Sequence, residues 1–154
     1  MSSQVKVQQD DFNVEQLYQS LRNNNQTGGV VMFVGLVRDF TTVKNQQEDS
    51  VFELEHYPGM TEHNLAKIVS TAQKKWSLHE VIVVHRIGKL APQEQIVFVG
   101  VSAEHRREAF LACDFIMDYL KSRAAFWKKE TQTHQSNWVA ASEQDEAQLQ
   151  RWED

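Results

Sequence analysis

Apolar positions along the chain recur with two different periods. Val5 and Val7 alternate with polar neighbours, which predicts a short strand. Val14, Leu17, Tyr18 and Leu21 follow the 3.6-residue period and predict a helix to about Arg22. Asn13, with Gln16 three positions on, reads as a capping box at its start. Residues 29–38, GVVMFVGLVR, are rich in β-branched side chains and predict a buried strand. Gly35 near the end of that strand marks a bulge or a close approach. Phe52, Leu54 and His56 alternate with Glu53, Glu55 and Tyr57, a strand with two unlike faces. Pro58-Gly59 turns the chain, and Thr61 is placed to cap a helix with Leu65, Ile68, Val69, Ala72 and Trp76 on its apolar face.

The second half repeats the alternation of types. Strands are predicted over residues 81–87 and 95–101, with the segment 88–92 as the loop between them. A long helix follows over residues 105–124, with Phe110, Cys113, Met117 and Leu120 on one stripe. Residues 126–130 read as extended, 131–137 as loop, and 142–152 as a short terminal helix. Residues 39–50 are polar and aperiodic, the pattern of a mobile loop. Short connections mixed with crossovers predict an α+β fold. The 154 residues suit a single domain over 1–154, with 131–154 as its C-terminal tail.

Composition and charge narrow the chemistry. The net charge of -5 gives no general attraction for nucleic acid or an anionic membrane. Lys121, Arg123, Lys128 and Lys129, against Glu130 alone, form a basic island in an otherwise acidic chain. Such an island fits a small anionic ligand better than a polyanion. The first residues, MSSQVK, carry no apolar run of a secretory signal, and no segment approaches a membrane span of about 20 apolar residues. A cytoplasmic location is expected. The one cysteine, Cys113, falls on the core stripe of its helix and reads as a small buried hydrophobe. The six histidines show no metal-ligand spacing, so no metal is expected.

Three groups carry candidate chemistry. His105, Arg106 and Arg107 sit at a helix N-terminus, where the backbone itself is partially positive. Either an anion binds there, or Glu104 and Glu108 offset a solvated basic turn. Lys121, in the last turn of the same helix, suits the helix dipole, and Lys128 is close enough along the chain to fold back beside it. Two adjacent lysines disfavour each other's charge, which would free an amine for proton transfer or nucleophilic attack. Arg38 ends an apolar strand, where it is either simply solvated or placed to grip a carboxylate or phosphate.

Several stretches taken together resemble the large-subunit family of molybdopterin synthase. They are GGVVMFVGLVRD, LEHYPGM with the following Thr-Glu, VHRIGKL, VSAEHRREAF and IMDYLKSRAAFWKKE. The resemblance implies an α+β fold of the α/β-hammerhead type with an added antiparallel β subdomain. It implies an enzyme that converts cyclic pyranopterin monophosphate to molybdopterin, inserting two sulfurs from the C-terminal thiocarboxylate of a small ubiquitin-like sulfur-carrier subunit. It further implies a homodimer with one small subunit at each end, a heterotetramer, and no cofactor. Lys121 and Lys128 match the family's catalytic pocket lysines. Arg38, His105, Arg106, Lys129 and Glu130 match its substrate-binding residues, with His105 and Arg106 reaching across the dimer. Ala125 stands where many members carry proline. The competing expectation is a non-catalytic dimeric module that binds a phosphorylated metabolite.

Overall fold

The fold is taken from a computed structural model, which describes residues 2–38, 51–132, 135–139 and 143–153. Strand β1 (Ser2–Gln8) and helix α1 (Val14–Leu21) open the chain, followed by β2 (Gly29–Leu36) and β3 (Val51–His56). Helix α2 (Met60–Lys75) then leads to β4 (Glu80–Arg86), β5 (Gly88–Leu90) and β6 (Gln95–Ala103). Helix α3 (Arg106–Arg123), β7 (Phe126–Gln132), β8 (Gln135–Val139), α4 (Glu143–Leu149) and a 3-10 turn over Gln150–Trp152 complete it.

The strands form two four-stranded sheets, one ordered β1-β4-β6-β2 and the other β5-β3-β7-β8. In the first sheet β1 runs parallel to β4, while β4–β6 and β6–β2 are antiparallel. Helices cover both faces of its central strands, which is why β4 and β6 are continuously apolar rather than alternating. Val81 and Val83 face α2 and α3, packing with Leu65, Val69, Ala112 and Ile116. Ile82 and Val84 point the other way, onto Leu21 of α1 and Phe98. The predicted cap of α1 is present, since the Gln16 amide donates to Asn13 Oδ1 at 3.1 Å.

Every pairing in the second sheet is antiparallel. Gly88, at φ 92°, lets the chain leave β4 and enter β5 of this sheet at once. Its small core holds Val37, Phe52, Leu54 and Leu90. Ile96 and Phe126 pack against this core and against the larger one, so they join the two sheets.

The structure corrects several expectations. Residues 88–90 pair with β3 as a strand instead of forming a loop. Residues 131 and 132 continue β7, and 135–139 return as β8, where a loop was expected. Residues 131, 132 and 135–137 are polar in sequence and owe their strand conformation to pairing rather than to an apolar pattern. Strand β2 is not buried. It is the edge of its sheet, with Met32, Phe33 and Leu36 exposed. Phe110 leaves the core stripe of α3 and is 61% exposed. Thr61 does not cap α2, because Gly59 occupies that position and Thr61 is buried in the first turn. The expected mobile loop 39–50 lies outside the described residues.

Candidate functional site

Helix α3 and strand β2 together place the candidate residues. Beyond β6 the backbone passes through Glu104 to His105, which occupies the N-cap position of α3 with an extended backbone and no side-chain capping bond. Strand β2 begins against this junction. A side chain on Gly28 would have its Cβ only 2.1 Å from the Glu104 carbonyl oxygen, so only glycine fits there. Gly29 in turn lies against the Arg106 backbone. The double glycine of the GGVVMFVGLVRD stretch is therefore what lets the α3 N-terminus seat on the strand.

From this shared origin β2 and α3 run in the same direction, because both are antiparallel to β6. Eight strand residues span about 26 Å and eighteen helical residues about 27 Å, nearly equal lengths from the shared origin to each far end. At that far end the strand bulges between Gly35 and Leu36, the bulge that Gly35 predicted. Val37 then turns inward to the smaller core. Its amide donates to the Glu94 carbonyl at 2.9 Å, and its carbonyl accepts from the Gln93 amide at 2.7 Å. Arg38 follows, exposed at the strand mouth.

Lys121 is exposed in the last turn of α3, at the far end of the helix. The helix stops at Ala124, and Phe126 begins β7 beside β3. In the register of that pairing Lys128 lies opposite Leu54, Lys129 opposite Glu53, and Glu130 opposite Phe52. Leu54 and Phe52 belong to the small core that also takes Val37 and Phe126. Arg38 follows Val37 of this small core, and the β7 backbone at position 128 pairs with Leu54 of the same core.

His105 and Arg106 lie at the opposite end of α3, 16 residues from Lys121 for His105, or about 24 Å along the helix. His105 is exposed, and its Nε2 is 3.5 Å from Glu104 Oε1. An open depression lies beside it, lined by Lys75, Trp76, Ser77, Glu104, His105 and Glu108. Arg106 and Arg107 are also exposed.

Cys113 sits midway along α3, buried as its apolar stripe predicted, with Sγ 3.8 Å from the Val99 carbonyl oxygen. Burial, reinforced by the neighbouring Asp114 carboxylate, pushes its thiol up to about 12. A thiol so placed stays protonated and out of reach of substrate. Among the described residues no cluster of histidine, cysteine or carboxylate groups could hold a metal ion.

A family model described as MoaE protein matches residues 7–123. The chain belongs to the MoaE family. Among curated MoaE-like relatives, the molybdopterin synthase catalytic subunit of Vibrio cholerae is 50% identical, covering 99% of this chain and 100% of its own. Among solved structures, the molybdopterin biosynthesis MoaE protein from Burkholderia ambifaria superposes with a TM-score of 0.83 at 44% identity, covering 97% of each chain. Molybdopterin synthase from Staphylococcus aureus superposes at 0.77 with 31% identity, over 87% of this chain and 95% of that one. The α+β architecture with its added antiparallel sheet is thus that of the MoaE family.

What the residue pattern did not reveal is the set of side chains that hold the α3–β7 junction. Thr61, Asn64 and His85 all touch it. The only sequence signal was the place of Thr61 and His85 inside the LEHYPGM-Thr-Glu and VHRIGKL stretches, and Asn64 lies outside both.

Proposed function

We propose that this protein is the catalytic subunit of a molybdopterin synthase. It converts cyclic pyranopterin monophosphate to molybdopterin in the cytoplasm, as one domain over residues 1–154, using sulfur delivered as a thiocarboxylate on a small ubiquitin-like partner. The observation that carries the reading is end-to-end correspondence with catalytic subunits at up to 50% identity over 153 residues. Among the described residues no helix is long and apolar enough to cross a membrane.

The site's chemistry fits that reaction. The chain's one cysteine is buried and held protonated, so sulfur has to come from outside. Lys121 stabilises negative charge on the thiocarboxylate carbonyl as the acyl group is attacked or released, the role of a preorganised cation where charge develops. Lys128 anchors the pterin or moves a proton, with Lys129 and Glu130 beside it in the strand. Arg38, His105 and Arg106 hold the phosphate-bearing substrate by charge-assisted hydrogen bonds.

One chain cannot bring both ends of α3 to one small pterin, since about 24 Å separates His105 from Lys121. The site is completed by a second copy, whose His105 and Arg106 meet Arg38, Lys121 and Lys128 of the first. Strand β2 offers a surface for that copy, an edge with Met32, Phe33 and Leu36 exposed. A small partner at each end of this homodimer makes a heterotetramer. The test is reconstitution with pterin substrate and thiocarboxylated partner. Dithiolene product is expected with both present and none when either is omitted, and failure of the complete mixture overturns the proposal.

A further inference from the structure

We infer that Thr61 is a positioning residue for the lysine pair, acting through the backbone that joins Lys121 to Lys128. This rests on the reading of those two lysines as the catalytic pair.

Six residues separate Lys121 from Lys128, and the chain there leaves a helix to enter a strand. Nothing in the local sequence stiffens that passage, since Ala124 and Ala125 stand at its centre and no proline lies between the two lysines. The stiffness comes from elsewhere in the fold. Thr61, in the first turn of α2, has no exposed surface. Its hydroxyl donates to the Ala125 carbonyl at 2.7 Å and accepts from the Tyr57 amide at 3.0 Å. A hydroxyl can do both at once, and a buried Thr supplies it on a side chain with little rotamer freedom.

Other groups hold the same few residues. Asn64, one turn further along α2, donates its side-chain amide to the Arg123 carbonyl at 3.4 Å. The Phe126 ring stacks on the buried His85 imidazole, with centroids 3.9 Å apart and planes at 22°. The Tyr57 ring lies against Trp127, with centroids 4.1 Å apart. Every residue from 123 to 127 except Ala124 is therefore held by a side chain from α2, from β4 or from the turn between β3 and α2. Ala124 is tied in by its own carbonyl, which accepts from the Phe126 amide at 2.8 Å. Thr61 is central among these contacts. Its hydroxyl joins the carbonyl of the linker midpoint to the turn that precedes α2. The helix end is thereby referenced to sheet β5-β3-β7-β8, and with it the spacing of Lys121 from Lys128.

The consequence is kinetic. Misplacing a catalytic group by about 1 Å can cost on the order of 100-fold in rate. Thr61→Val keeps the shape and removes both hydrogen bonds, while Thr61→Ser keeps the hydroxyl. With pterin substrate, thiocarboxylated partner and the full chain at a temperature well below the melt, Thr61→Val should lower kcat about 10- to 100-fold with KM within about threefold. Thr61→Ser should restore kcat to within about threefold of wild type. Amide exchange of residues 122–127 should accelerate in Thr61→Val and not in Thr61→Ser. If Thr61→Val does not fold, Thr61→Cys replaces it, with an intermediate loss of kcat expected.

Lys121→Ala is run in parallel. An active Lys121→Ala would remove the catalytic reading on which the inference rests. An inactive Lys121→Ala beside a folded Thr61→Val with wild-type kcat would overturn the positioning role alone. A loss in Thr61→Val that Thr61→Ser does not rescue would also overturn it.

Discussion

The two ends of helix α3 are built on opposite plans. Its N-terminal end presents His105, Arg106 and Arg107 to solvent, with Glu104 as the carboxylate nearest His105. Its C-terminal end is clasped from several directions. Thr61 and Asn64 hold the backbone beyond Lys121, His85 stacks on Phe126, and Arg123 pairs with Glu146 at 2.9 Å. Slightly further back, Arg151 bonds Asp114 and Asp118 at 2.8 and 2.6 Å, and Trp152 packs its ring against Trp76 and Phe115. The difference matches a division of labour. Groups that grip a charged substrate tolerate side-chain freedom, because long cations can reach, whereas groups at a reacting centre depend on fixed placement.

The sharpest way to break this comparison is to remove one cation from each end. Lys121→Ala should cost on the order of 100- to 1,000-fold in kcat, the usual loss when a group that stabilises developing charge is deleted. Its melting temperature should barely move, since an exposed substitution is usually within about 0.5 kcal/mol. Near-normal product formation would end the catalytic assignment. Arg106→Ala should act instead on KM, raising it about 10-fold or more as a charge-assisted bond worth roughly 1.5–3 kcal/mol is lost. Steady-state kinetics in varied pterin separates the two patterns, and a kcat-only defect in Arg106→Ala would contradict the substrate-gripping role.

Joining the two variants sharpens the comparison further. Lys121→Ala and Arg106→Ala proteins, unfolded together and refolded, form mixed dimers in half of all pairings. In each mixed dimer one shared site carries both lesions and the other carries neither. Assayed at pterin well below the wild-type KM, where Arg106→Ala alone is also nearly inactive, activity should return to about a quarter of wild type for a closed two-fold dimer. No recovery, with mixing demonstrated by differently tagged chains, would place both ends of α3 in the service of separate functions.

Two smaller effects concern the helix between its ends. Trp152→Ala removes a half-buried ring and should cost about 2 kcal/mol. For a chain of this size that is a fall of roughly 4–8 °C in thermal melting. If the melt is unchanged, the C-terminal turn does not brace α3. Cys113→Ala should keep activity within about twofold once sulfur is supplied by the partner, and the native thiol should resist a thiol reagent at pH 8. An unfolded cysteine ionises near 9, whereas this one is held protonated to about 12. Its contribution to stability is thus complete below pH 9 and is lost as pH rises toward 12. Stability of the wild type should therefore decline across that alkaline range, and the decline should be shallower in Cys113→Ala.

How much of this was legible beforehand depended on where the physics is local. Helices α1, α2 and α3 and strands β4 and β6 follow from periodicity and apolar runs, because each buries a stripe or a face of its own residues. The burial of Cys113 follows from its place on such a stripe. The quoted family stretches added the identity of Arg38, Lys121, Lys128, His105 and Arg106 as candidates, and with it the family. Tertiary structure alone decided the rest. Strands β5 and β8 are three and five residues long, too short for a periodic pattern, and are fixed by the hydrogen bonds their neighbours supply. Strand β2 reads as a core strand, yet sheet order leaves it at an edge, since nothing in a run of apolar residues says which neighbours will cover it. Thr61 reads as a helix cap, yet its hydroxyl serves a carbonyl 64 residues away. A long-range hydrogen bond leaves no periodic trace in a sequence. Lys121 stands at one end of α3 and His105 and Arg106 at the other, a separation set by the rise of the helix.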